Sequence, residues 1–150
     1  IDSDGRRSRH VASGAIRVRG ETLSDRLGFI FAAIEAVVAD HAPDCMAVEE
    51  VFIARSAASA LKLGQARGAA ICAGARAGLP LSSYAPTAIK QALVGTGRAD
   101  KDQVQHMVRM LLGLREPLAA DASDALAVAI CHAHTTSTLG RTVAAIGGRR

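Results

Sequence analysis

Strand-like and helix-like patterns alternate along this 150-residue sequence, which predicts an α/β fold: a mixed sheet flanked by helices in one domain. Three observations carry that expectation. Short apolar runs such as Cys45-Met46-Ala47-Val48 suit buried strands. Longer segments repeat apolar residues every three or four positions, as helices do. The opening Ser3-Asp4-Gly5 is a turn signal. A hairpin turn with only Ile1 and Asp2 before it predicts that N-terminal strand(s) are absent from this chain.

After that turn, Ser8 to Val18 places Val11, Ala15, Ile16 and Val18 among polar and basic residues, predicting a strand. Thr22 to His41 is the clearest helix. Leu23, Leu27, Ile30, Phe31, Ile34, Val37 and Val38 form its stripe, Thr22 or Ser24 can cap it, and Pro43 stops it. Asp44 to Val51 is a strand that ends in Glu49 and Glu50. Ser56 to Ala77 is a long helix rich in Ala and Gly. Its Gly64, Gly68 and Gly74 permit close helix approach, and Gly78 and Pro80 end it. Leu81 to Tyr84 is a short strand, and Pro86 opens a short helix to Val94. Gly95 to Ala99 is a flexible loop, Asp100 to Leu112 a helix and Ala120 to His134 a last helix. From about residue 135 to 150 a polar, then Gly- and Arg-rich tail is expected to fray.

The net charge of +4 favours a polyanionic partner, and clustering of Arg6, Arg7 and Arg9, then Arg17 and Arg19, then Arg149 and Arg150 strengthens it. Cys45, Cys72 and Cys131 have no pairing or zinc spacing, so buried reduced thiols in a cytoplasmic protein are expected. Charges interrupt every long apolar stretch, so no segment is expected to span a membrane.

Three carboxylates stand out. Glu49 ends a buried strand, and Asp121 and Asp124 lie three apart, on one face at the start of the last helix. Together they suit hard divalent cations, which prefer carboxylate oxygens, and two such ions can drive phosphodiester hydrolysis. Taken singly, Asp121 and Asp124 also fit an N-cap and a first-turn acid, and Glu49 a solvated strand end. Phe52 fits core packing or stacking on an unpaired base. Lys90 and Lys101 flank the glycine loop, where a solvated lysine is the ordinary case. His132 and His134 are expected on different helix faces, which argues against a joint metal site.

Longer strings carry a resemblance. Ala47-Val48-Glu49-Glu50-Val51-Phe52 with Ser59-Ala60-Leu61-Lys62-Leu63-Gly64-Gln65-Ala66-Arg67-Gly68 resembles the segment bearing the second catalytic acid of the RuvC family of crossover-junction endodeoxyribonucleases. Asp100-Lys101-Asp102-Gln103-Val104-Gln105-His106-Met107-Val108 resembles that family's stretch around a catalytic-site lysine. Ala120-Asp121-Ala122-Ser123-Asp124-Ala125-Leu126-Ala127 resembles its last pair of acids. The resemblance runs from about Ser8 to His134. It implies a ribonuclease H-like nuclease domain over residues 1–150, a homodimer that nicks four-way (Holliday) junctions symmetrically, and Mg²⁺ or Mn²⁺, two ions per site. By motif position it implies Glu49, Asp121 and Asp124 as metal-binding catalytic acids and Lys101 as a catalytic and DNA-contacting lysine. Lys90, Arg55 and Phe52 are implied DNA contacts, with Phe52 stacking on a base. Dimerisation through Ser56 to Ala77 and partnership with RuvA and RuvB are implied as well.

The family's first acid lies on an opening strand. Asp2 resembles it superficially but stands about one hairpin strand too close to Glu49, and Asp2-Ser3-Asp4-Gly5 fits better as a later turn. The expectation is therefore an N-terminally truncated chain that cuts poorly by itself. The alternatives are a junction-binding module with impaired or no catalysis, and a ribonuclease H-like relative with another nucleic-acid substrate.

Overall fold

A computed structural model describes residues 1–50 and 56–147, with side chains as far as residue 137. The chain divides into two compact units, Ile16–Ser83 and Ile1–Ala15 with Tyr84–Arg150.

In the Ile16–Ser83 unit, α1 spans Leu23–His41. Thr22 caps it in a full capping box: its hydroxyl accepts from the Asp25 amide at 3.1 Å, and the Asp25 carboxylate accepts from the Thr22 amide at 3.0 Å. The hydrogen bonds from Thr22 hold the Asp25 carboxyl below its ordinary value. Ala42 ends the helix in the left-handed region at φ 43°, donating to the Val38 carbonyl, and Pro43 prevents continuation. The stripe is half-buried except for Leu23 and Val37, which remain exposed. The strand β3, Met46–Glu49, follows, and then α2, Ala57–Arg76, capped by Ser56. The strand β4, Leu81–Tyr84, pairs with β3. Of the three helix glycines, Gly74 permits a close approach: a Cβ there would run into the Met46 sulfur of β3. Gly64 and Gly68 face no described atom within 4 Å. Arg76 of α2 ties down α1, meeting Glu35 at 3.2 Å and lying over the Phe31 ring.

In the other unit, β1 (Asp2–Ser3) and β2 (Ser8–Arg9) form an antiparallel hairpin with Asp2 opposite Arg9 and Ser3 opposite Ser8. The Asp4 carboxylate accepts from the Arg7 and Arg6 amides at 2.8 Å each, which keeps its pKa below the ordinary range. Gly5 takes φ +81°, and its carbonyl accepts from the Ser137 hydroxyl at 3.0 Å. A Cβ at Gly5 would lie 2.5 Å from that of Ser137, so only glycine fits both the turn and the contact. The strand expected over Ser8 to Val18 shortens to Ser8–Arg9, because β1 offers two residues to pair with and Val11, Ile16 and Val18 stay exposed.

Helix α3, Pro86–Val94, opens on its proline. Helix α4, Lys101–Leu112, is capped by an Asp100–Gln103 box. The segment between them is tied rather than loose. Gly95 caps α3 at φ +81°, Gln91 donates to the Gly95 carbonyl at 2.8 Å, and Ala99 is buried. Helix α5, Ala120–Gly147, runs well past His134, where a frayed tail was expected. Thr135 and Thr136 donate to the Cys131 and His132 carbonyls at 2.8 and 2.9 Å, so their hydroxyls find partners within the helix. Ile89 and Leu93 of α3, Val104, Val108 and Leu112 of α4, and Leu126 and Ile130 of α5 close a three-helix core.

Of the cysteines only Cys131 is buried, and burial pushes its thiol up. Cys72 is exposed, against expectation, because its side of α2 is uncovered by described residues, and Cys45 is half-buried.

Candidate active site

The start of α5 displays its acids outward. Asp121 is exposed and Asp124 half-buried, while Ala122 and Ser123 between them turn into the core. Two carboxylates three positions apart on one face repel each other, and the positive end of the helix offsets part of that cost. A second helix start supplies the cation. The Nζ of Lys101, first residue of α4, lies 3.0 Å from Asp124 Oδ2. The sequence separates these residues by 23 positions, and only packing of α4 on α5 brings them together. The Ser123 hydroxyl, 1% exposed, has no hydrogen-bond partner among the described residues.

Glu49 belongs to the other unit and ends β3, exposed beside Glu50. Its backbone is held from α2. Arg67 Nε donates to the Glu49 carbonyl at 2.9 Å, and Arg67 Nη2 donates to Ser83 Oγ of β4 at 2.8 Å. One guanidinium therefore fixes the end of β3 against β4. Nothing in the sequence singled out Arg67, since a helical arginine is ordinary and its two acceptors lie 18 and 16 positions away. For a Glu49 that serves in catalysis, Arg67→Ala should cut nuclease activity by about tenfold or more by misplacing it, with Arg67→Lys restoring part of it. Nicking rates set beside thermal melts check this; equal rates would remove the role.

Lys90 is half-buried on α3 and Asp2 sits on the hairpin, paired with Arg9 at 3.1 Å. Phe52 and Arg55 lie outside the described residues. His132 and His134 engage separate partners, Tyr84 at 2.8 Å and the Ala92 carbonyl at 3.4 Å.

The donor set suits one class of ion. Among the described residues no three His, Cys, Asp or Glu side chains gather closely enough to hold a metal ion. Asp121 and Asp124 offer only oxygen donors, and Asp124 already draws a cation, the Lys101 ammonium. Mg²⁺ suits such a pair, because it keeps several waters and binds through one or two carboxylates plus substrate phosphates.

Comparison with known proteins agrees with the motifs. The family model for crossover junction endodeoxyribonuclease RuvC matches residues 1–132. A relative of that name from Tolumonas auensis is 52% identical over 139 residues, covering 93% of this chain and 80% of the relative. One from Photobacterium profundum is 56% identical over 135 residues, covering 90% and 78%. The structure of Thermus thermophilus RuvC in complex with a Holliday junction substrate aligns with TM-score 0.85 at 35% identity, covering 92% of this chain and 85% of that one. Another Thermus thermophilus RuvC structure aligns with TM-score 0.81 at 37% identity, covering 88% and 81%. With a family model over most of its length and relatives above half identity, this chain belongs to the crossover junction endodeoxyribonuclease RuvC family and has its ribonuclease H-like fold.

Proposed function

We propose that this chain is a single nuclease domain that resolves Holliday junctions, nicking four-way DNA in recombination and repair. The observation that carries it is the likeness, at 35% identity over 92% of the chain, to a RuvC solved on a Holliday junction substrate. Junction binding without catalysis is not favoured, because the matched family is one of endodeoxyribonucleases.

In this proposal Glu49, Asp121 and Asp124 are the metal-binding acids. Mg²⁺, or Mn²⁺, at two positions would supply an activated water and neutralise charge on the leaving oxygen. Lys101, beside Asp124, holds positive charge where a scissile phosphate would approach, and Lys90 and Arg55 extend the phosphate contacts. Phe52 stacks on a base near the junction centre. Dimerisation runs through α2, whose Leu61 and Leu63 are exposed and whose Gly64 and Gly68 leave room for a close partner helix. RuvA and RuvB are the proposed branch-migration partners, and the cytoplasm the proposed location. Among the described residues, no helix is long and apolar enough to cross a membrane.

The deciding experiment compares divalent-metal-dependent nicking of a four-way junction with nicking of linear duplex and of an RNA–DNA hybrid; preference for duplex or hybrid would overturn the proposal. Junction affinity should fall by about 10³-fold or more between 50 and 200 mM salt if some six phosphates are neutralised. A flat salt response would remove the basic surface from the binding face. Phe52→Ala should slow cleavage more than it weakens duplex binding; a change confined to melting temperature would make Phe52 a packing residue.

A further inference from the structure

Lysine is a poor choice for the first residue of a helix, where the macrodipole already places positive charge. Lys101 nonetheless opens α4, and the Asp100–Gln103 capping box stabilises that end without it. Its position therefore calls for a reason outside the helix, and that reason is Asp124 at 3.0 Å. The two side chains are 57% and 45% exposed, so the pair stands in water and contributes little to stability. What it changes is charge: an ammonium sits on Asp124, one of the two acids proposed to receive a cation. A divalent ion carries twice the charge of an ammonium, and attraction to a carboxylate scales with that charge. The ammonium itself is a compact charge on a flexible four-carbon stem, able to swing to a neighbouring acceptor without backbone movement.

From this geometry we infer that Lys101 is a placeholder cation: it neutralises Asp124 in the metal-free protein, is displaced by a divalent metal ion, and then transfers to a phosphate oxygen of bound DNA. The inference rests on the assignment of Asp121 and Asp124 as metal ligands and adds an exchange between two cations. Metal and lysine compete for one carboxylate, while metal and DNA cooperate, because the displaced ammonium gains a phosphate partner. The exchange also keeps metal affinity low until DNA is present.

The chain as it stands can be tested without cleavage. Mn²⁺ titration, followed by loss of the free-ion EPR signal, should show Lys101→Met binding two- to fivefold more tightly than wild type, the scale of an exposed ion pair removed. Lys101→Gln should do the same, and thermal melts should show both variants folded. Unchanged or weaker Mn²⁺ binding in both variants overturns the displacement. Asp124→Asn is the control: if it leaves Mn²⁺ binding intact, the metal assignment falls and the placeholder falls with it. If Asp124→Asn weakens binding but the lysine variants do not strengthen it, the placeholder alone falls. Ca²⁺, as a probe ion, should strengthen binding of the wild-type chain to a four-way junction, and Lys101→Met should lose most of that gain; a gain kept in full overturns the transfer to phosphate.

Discussion

Replacing Asp124 or Asp121 with Asn is expected to reduce metal-dependent junction nicking by a hundredfold or more, since a displacement of about 1 Å at a reacting centre already costs about that much. The measurement is divalent-metal-dependent nicking of a four-way junction by each variant set beside the parent chain. Junction binding should survive, because the substitutions remove negative charge from the surface proposed to meet phosphate. Glu49→Gln should match the aspartate variants, whereas the exposed neighbour Glu50→Gln should lose little. That contrast separates a placed ligand from general acidity. Wild-type nicking by either aspartate variant would remove the pair from the reaction.

Ile130→Ala is expected to produce the largest loss of stability. Ile130 is fully buried on α5, with Val108 of α4 also fully buried in the same core. Cutting such a side chain back to Ala costs about 2–5 kcal/mol in transfer and cavity terms. At roughly 2–4 °C per kcal/mol for a chain of this size, the melting temperature should drop by about 4–20 °C. Met110→Ala, on the exposed side of α4, should stay within about 0.5 kcal/mol. Urea midpoints for both variants provide the check; equal midpoints would mean that the core is not where the burial places it. Because α4 opens on Lys101 and α5 carries Asp121 and Asp124 near its start, Ile130→Ala should also weaken Mn²⁺ binding at temperatures where the protein remains folded.

The helices were legible in the sequence because their ends are written locally. Thr22 with Asp25, Ser56, Pro86 and Asp100 with Gln103 are capping signals within a few positions, and each boundary follows from them. The strand over Ser8 to Val18 was misread because alternation describes a strand only when a partner lies alongside. The end of α5 was misread because Thr135 and Thr136 look like turn formers until their hydroxyls turn back onto the preceding helical turn. The candidate site was readable as residue types and strings: Glu49, Asp121 and Asp124 as carboxylates at element ends, and Lys101 from motif position. Its contacts were not. The Lys101–Asp124 pair and the Arg67 clamp on Glu49 each join residues at least 16 positions apart, and no local rule selects such partners.

The bond between Ser137 and the Gly5 carbonyl spans 132 positions. A contact of such long range closes late in folding, since the chain between its ends must be ordered first. During synthesis at about 5–20 residues per second, the Gly5 turn would wait roughly 7–26 s for its partner to be made. The hairpin is therefore expected to exchange its amide hydrogens early and to gain protection last, as the closing latch of a chain whose helical core is already in place.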